Sequence, residues 1–255
     1  MEKTSKKCVD FNINLAQVFD SDNVDKGFAL IDYASSINIS CDISSGCPVA
    51  IKNAVQHCKF NSKEIGALIS LPNTNKSPLE LSEEEIESIV LYQLGAISAF
   101  TDAYSLNIEH VRPFGLMYKL ASENLAFSTS IANAVKKFSK WLTLYGAAGE
   151  ILKETEAAAN INIAQEVFFD KEYTESSLID FSGDVNFTEN ELKDRLHRLI
   201  ENSEVTISEN NFAKVEFDTI HFDVENSLEL IKEANNIVVP RPVNYNKVVA
   251  SGWVE

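Results

Sequence analysis

The chain has 255 residues, 45% of them hydrophobic, and a net charge of −16. That length favours one large domain, spanning 1–255, with a full core, and the negative charge sets it against phosphate backbones and anionic membranes, so no nucleic-acid or membrane partner is expected. No apolar run is long enough to cross a bilayer, and the opening MEKTSKK lacks the apolar core of a signal peptide, which makes a soluble cytoplasmic protein the expectation.

In chain order, CVDFNINLA, Cys8 to Ala16, reads as the first strand, and SINIS as a second. A helix follows with Pro48 near its first turn and Ile51, Ala54, Val55 and Cys58 on one face. EIGALIS is the third strand. Ser82 and Glu85 form a capping box that opens a helix, with Ile86, Ile89, Val90, Leu94 and Ile97 at helical period as far as about Tyr104. IEHVRP is strand four, Leu120 to Lys137 reads as one helix, and WLTLYG is strand five. A helix over Gly149 to Ala159 leads to INIAQEVF, strand six; a second capping box, Thr188 with Glu191, opens a helix carrying Leu192, Leu196, Leu199 and Ile200. KVEFDTIHFD reads as the last strand, Asn226 or Ser227 caps a final helix, and 237–255 forms a tail with Pro240, Pro242 and Trp253.

Alternating strands and helices of this kind predict an α/β fold, a (β/α) barrel, and no Gly-rich phosphate loop follows any strand. In such barrels the chemistry sits where strands end. Asn12 to Gln17, Cys41 to Gly46, Leu68 to Asn73, Arg112 to Gly115, Glu166 to Tyr173 and His221 to Glu225 are therefore expected at one mouth.

Several of these segments carry longer wording. NISCDISSGCP, Asn38 to Pro48, resembles a pattern NxACGFHAGDP, and HVRPFGLMY, His110 to Tyr118, resembles HVKPHGALY. DFNINLAQ is similar to DLNCDxGE, EIGALISLPN to xIGAHPGYPD, EVFFDKEY to EVFADRxY and DTIHFDVEN to DTICVHGDT; LYQLGAISAF is close to the usual wording of that helix. These are signatures of the LamB/YcsF family, the lactam utilisation proteins or A subunits of 5-oxoprolinase, and the resemblance runs in register from Asp10 to about Asn226. It implies an irregular seven-stranded TIM-like barrel of the glycoside hydrolase/deacetylase type. It also implies work beside two partner subunits that open the lactam ring of 5-oxoproline with ATP, so no cofactor is expected on this chain itself. Fold-level likeness alone does not license that activity.

Against those patterns the ionisable groups shift in one direction. Asn14 and Gln17 stand where the family has carboxylates, and Ser44, Leu68, Phe114 and Asp223 stand where it has histidines. Amides keep the shape of a carboxylate but do not exchange protons at neutral pH. Arg112 replaces a lysine, keeping the charge as a planar fork. Asp10, Glu166 and Asp170 remain as candidate catalytic groups, and Asn12, Asn14, Gln17, Asn38, Ser44, Arg112, Lys171 and Tyr173 as candidate ligand contacts, Arg112 being suited to a small carboxylate. Taken singly, each has a plain structural alternative: Asp10 and Asn12 tying strand ends, Glu166 and Tyr173 ordering a loop.

Of the histidines, His57 and His197 fall on helix surfaces and His110 at a strand boundary. His221 and Asp223, two apart on a strand, share a face and make a weak metal pair with Glu225 near. Four cysteines, Cys8, Cys41, Cys47 and Cys58, form no CxxC pair, so reduced thiols are expected; Cys47 at a helix start reads as a buried thiol ahead of a reactive one. Three functions stay open: a catalytically degenerate binding or regulatory subunit, with partner subunits or a homo-oligomer around it; an active lactam or amide hydrolase subunit using Glu166, Asp170 and Arg112; and a metal-dependent deacetylase-like hydrolase using His221, Asp223 and Asp10.

Overall fold

The computed structural model describes residues 9–15, 29–41, 48–73, 77–174, 179–181, 186–208, 211–222 and 227–243. Among them the strands are β1 Asp10–Asn14, β2 Ser36–Ser40, β3 Glu64–Ile69, β4 Ile108–Pro113, β5 Thr143–Ala147, β6 Asn162–Val167, β7 Glu204–Ser208, β8 Asn211–Lys214 and β9 Thr219–Phe222. Seven of them close into a barrel in the order β1-β2-β3-β4-β5-β6-β9, every neighbouring pair parallel. The expected α/β barrel of seven strands is thus the observed one. Parallel neighbours need crossover helices, which here are α1 Pro48–Phe60, α2 Glu83–Ala103, α3 Leu116–Glu123, α4 Leu125–Phe138, α5 Glu150–Ala159, α6 Glu189–Asn202 and α7 Leu228–Ile237.

Local chemistry sets most of these boundaries. Both capping boxes form: Ser82 and Thr188 each accept from the backbone N–H three residues on, and Glu85 and Glu191 reach back. α1 buries Ile51, Ala54, Val55 and Cys58 as its spacing requires.

Two expectations are corrected. The single helix over Leu120 to Lys137 is two helices meeting at Asn124, whose extended backbone ends α3 by donating to the Leu120 carbonyl while its side chain caps Phe127 N and starts α4. An apolar period that runs through such a junction hides it. The last strand is not continuous from Lys214 to Asp223. Lys214 instead closes a hairpin in which β8 pairs antiparallel with β7, and Asp218 restarts the chain by exchanging hydrogen bonds with Gln165 before β9. Residues of the predicted tail return to the barrel as far as Arg241, whose N–H donates to Val9 O; residues 244–255, with Trp253, lie outside the described residues. No helix among the described residues is long and apolar enough to cross a membrane.

Period-two alternation divides every barrel strand between two environments. Phe11, Ile13, Ile37, Ile39, Ile65, Val111, Leu144, Val167, Ile220 and Phe222 belong to the main core cluster, together with the inner faces of the helices. Many of their strand neighbours turn into the barrel as polar side chains: Asp10, Asn12, Ser36, Asn38, His110, Arg112, Glu166, Thr219 and His221, all buried.

Candidate ligand site in the barrel interior

Most of the polar side chains inside the barrel join in one column of close polar contacts from base to mouth. At the base the Asp10 carboxylate accepts from the hydroxyls of Ser35 at 2.6 Å, Ser36 at 2.8 Å and Tyr145 at 3.0 Å. Among the described residues no cation pairs with it, and burial pushes its pKa up from 3.8 to about 6 against the pull of those hydroxyls. Ser36 Oγ in turn accepts from Asn12 Nδ2 at 2.7 Å.

Above that, the amides of Asn12 and Asn38 face each other. Asn38 Nδ2 donates to Asn12 Oδ1 at 2.5 Å and to Asn14 Oδ1 at 2.8 Å, while Asn12 Nδ2 donates back to Asn38 Oδ1 at 3.2 Å. Two imidazoles close the sides of this layer. His110 Nε2 lies 2.7 Å from Asn38 Oδ1, its ring stacked on Tyr145 with centroids 4.2 Å apart. It fits because position 66 is glycine, where a Cβ would fall 2.0 Å from His110 Nε2. Across the barrel, His221 Nδ1 lies 3.0 Å from Asn12 Oδ1 and 3.5 Å from Glu166 Oε1.

The direction of each bond fixes the protons. At His110 Nε2 the acceptor Asn38 Oδ1 at 2.7 Å outweighs the donor Asn12 Nδ2 at 3.5 Å, so His110 carries its proton on Nε2, and Asn12 Oδ1 places that of His221 on Nδ1. Both rings are held neutral: burial, then the Arg112 cation, lowers His110 to about 3, and the same causes, with Lys171, hold His221 well below its ordinary range.

Toward the mouth one ion pair dominates. Arg112 Nε donates to both oxygens of Glu166, at 2.8 and 2.9 Å, and neither side chain is more than 5% exposed. The guanidinium lies over Tyr118, 4.8 Å from its ring centroid, and near Phe168 at 5.9 Å. Among the described residues the buried Tyr118 hydroxyl has no hydrogen-bond partner, and burial followed by the facing Glu166 charge raises its pKa far above the usual phenol range.

The structure brings Asp10, Asn12, Asn14, Asn38, Arg112, Glu166 and His221 into this column. Tyr173 lies in the loop behind it: its hydroxyl accepts from Phe168 N at 2.9 Å, and Arg195 of α6 holds the same loop through the carbonyls of Phe169 and Lys171. Asp170 is half-buried and Lys171 exposed in that loop. Gln17, Ser44, Cys47, Asp223 and Glu225 fall outside the described residues. Leu68 is buried beside Arg112 in the β3–β4 register, and Phe114 is half-buried, its N–H donating to Ile69 O. His57 is exposed, while His197 pairs with Glu233 at 2.6 Å on the helix surface. Cys41 and Cys58 are buried thiols, and burial pushes Cys58 up to about 12. Among the described residues no group of three His, Cys, Asp or Glu side chains stands close enough to hold a metal.

Sequence reasoning left out His110, Tyr145, Ser36 and Tyr118. A signal for three of them was present: polar residues at alternate positions of strands whose other positions are apolar, as in Ser36-Ile37-Asn38-Ile39 and His110-Val111-Arg112. Two narrow crevices lie beside the column where β5 meets α3 and α5; they are lined mostly by apolar groups such as Pro113, Leu144, Leu152, Ile179 and Phe181.

Comparison with known proteins places this geometry. A model described as the LamB/YcsF family matches residues 9–250. The A subunit of 5-oxoprolinase from Histophilus somni is 29% identical over 234 residues, covering 89% of this chain and 93% of that one. The protein of the same name from Methylococcus capsulatus is 32% identical over 170 residues, 66% of this chain and 65% of its own. Among solved structures, the lactam utilization protein from Thermus thermophilus superposes with a TM-score of 0.81 at 25% identity, covering 94% of this chain and all of that one.

Proposed function

The chain belongs to the LamB/YcsF family, and from that premise we propose that it is a binding or regulatory counterpart of the 5-oxoprolinase A subunit whose barrel holds a small ligand without hydrolysing it. The observation that carries this is the closure of both buried carboxylates. Glu166 gives both oxygens to Arg112 Nε, and Asp10 accepts three hydroxyl hydrogens beneath the Asn12–Asn38 layer. A general base must reach the proton it takes, directly or through one water, and neither group is placed at the mouth with an unoccupied oxygen. The replacements around them point the same way: Asn14, Leu68 and Phe114 stand where the resembling patterns have a carboxylate and two histidines. Relatives carry the name of one subunit among several in 5-oxoprolinase, which supports partner subunits for this chain too.

An active lactam or amide hydrolase subunit is the second reading. Asp10, raised to about 6, is tuned to the range in which acid–base groups work at neutral pH. Its position at the base, behind Ser36 and Asn12, ranks this reading lower. The metal-dependent reading needs Asp223 to join His221 and has no further support among the described residues.

The deciding experiment is recovery of the protein from its native cells with its bound partners, followed by an ATP-dependent 5-oxoproline turnover assay. Recovery of the larger 5-oxoprolinase-type subunits, with no turnover that depends on Glu166 or Asp170, is the expected result. Turnover that disappears on Glu166→Gln or Asp170→Asn contradicts the proposal.

A further inference from the structure

The short helix α3 is joined to the barrel through one residue at each end. Gly115 leads into it from β4 with φ +57° and ψ −129°, a conformation that side chains disfavour. A Cβ there would meet nothing within 4 Å, so the backbone angle and not a lack of space calls for glycine. At the other end Asn124, extended at φ −134° and ψ 108°, closes α3 and opens α4. Both junctions are exposed.

Eight residues are too few to hold a helix by propensity alone, so α3 stays in place by what it packs against. Only Met117 and Tyr118 are buried, and Leu116 is 52% exposed. Its polar side-chain contacts stay within the helix: Ser122 Oγ donates to the Lys119 carbonyl, and Lys119 lies 4.0 Å from Glu123. Rings hold it down instead. Tyr118 lies 4.8 Å from the Arg112 guanidinium and edge-on to Phe168 and Phe181 at 6.0 and 6.2 Å. Where the helix meets β5 and α5, Tyr118, Ala121 and Ser122 line the two narrow crevices.

This closed position is favoured by the ring contacts and opposed by the Tyr118 hydroxyl. That hydroxyl is buried toward Glu166 and, among the described residues, has no hydrogen-bond partner, a defect that contact with water would remove. Beneath it, Arg112 and Glu166 have side chains no more than 5% exposed.

We infer that α3 is a hinged lid over the Arg112–Glu166 pair, turning at Gly115 and Asn124 so that Met117 and Tyr118 come out together and the pair opens to solvent. Hinges of this kind are residues at the ends of an element that absorb a change in φ and ψ while the segment between them stays whole. The lid goes beyond the ligand-binding reading: it belongs to the chain alone, its test uses no ligand, and its failure leaves that reading standing.

The test is oxidation of Met117 by hydrogen peroxide in the full chain under native conditions. Met1 and Met117 are the only methionines, so the sulfoxide at 117 is resolved by peptide mass spectrometry. Hydrogen exchange of the β4 and β5 amides in the same sample measures global opening. Met117, fully buried, is expected to oxidise more slowly than free methionine yet faster than opening of the β4–β5 core allows. Tyr118→Phe keeps a ring on Arg112 and removes the stranded hydroxyl, and it should slow the oxidation about five- to a hundredfold relative to core exchange. Gly115→Ala strains the closed backbone and should speed it about tenfold. Where Gly115→Ala fails to fold, Tyr118→Phe decides alone. Oxidation no faster than core opening, or a rate that Tyr118→Phe leaves unchanged, overturns the lid.

Discussion

Two carboxylates are buried at opposite ends of one polar column, and the barrel satisfies them differently. At the base, Asp10 meets only neutral donors among its hydrogen-bond partners, the hydroxyls of Ser35, Ser36 and Tyr145, and its pKa rises to about 6. At the mouth, Glu166 is gripped by a guanidinium through both oxygens. Hydroxyls satisfy a carboxylate's lone pairs but leave its charge in a medium of low polarity; a cation neutralises it, and the pair then depends on both partners staying. The base is therefore the end that tolerates a change of charge. The mouth is the end that does not.

The largest effect expected is on acid stability, where the two histidines between these ends oppose Asp10. His110 and His221 are neutral in the fold, and unfolding lets each take a proton. Their contribution is fully present above about 6.5 and is lost as pH falls toward about 3, on the order of several kcal/mol for His110 alone. Asp10 works the other way: its folded pKa lies above its unfolded one, so between about 6 and 3.8 acid stabilises the fold through this group. Two rings outweigh one carboxyl, and urea midpoints measured from pH 7 to pH 4 should fall. A midpoint that rises over that range breaks the assignment of neutral imidazoles.

Arg112→Met should come next, costing about 3–5 kcal/mol because it strands the Glu166 charge in the interior. Arg112→Met combined with Glu166→Gln should recover part of that loss, which chemical denaturation of the two variants measures; equal losses would mean that the ion pair is not what the mouth depends on. Gly66→Ala should cost about 1–3 kcal/mol, since the added methyl lands in the slot of the His110 ring and forces it off Asn38. A melting temperature unchanged from the parent would contradict the slot.

At the base, Asp10→Asn should stay within about 1 kcal/mol of the parent at pH 7, since it removes a buried charge while hydroxyls can turn to meet the amide. Its acid limb should be steeper, the opposing titration having been removed. A loss as large as that of Arg112→Met would erase the contrast between the two ends. Outside the column, Asn124→Ala should cost about 1 kcal/mol through the lost cap on α4, a scale for an ordinary local defect.

Much of the frame was legible in the sequence because local rules and packing agree there. The Ser82 and Thr188 boxes, the Ile51-Ala54-Val55-Cys58 stripe and the IEHVRP strand form as read. What escaped was decided by single residues or by distant partners. Asn124 splits a continuous apolar period, and the β7–β8 hairpin interrupts a stretch that reads as one strand. In the site, Asp10, Asn12, Asn38, Arg112 and Glu166 stand out by their resemblance to the family's loops, yet they act together because alternate strand positions all face one axis. His110 reads as a boundary residue in the sequence because the glycine slot and the Tyr145 ring that hold it come from β3 and β5, far away in the chain.

The measurement that reaches the centre of this account is the ring nitrogen spectrum of the protein labelled with ¹⁵N-histidine at neutral pH. The column requires two neutral buried rings in opposite tautomers, His221 protonated on Nδ1 and His110 on Nε2, with His221→Phe and His110→Phe assigning the signals. An imidazolium at either position, or both rings in the same tautomer, would contradict the bond directions that the Asn12–Asn38 layer sets through the centre of the column.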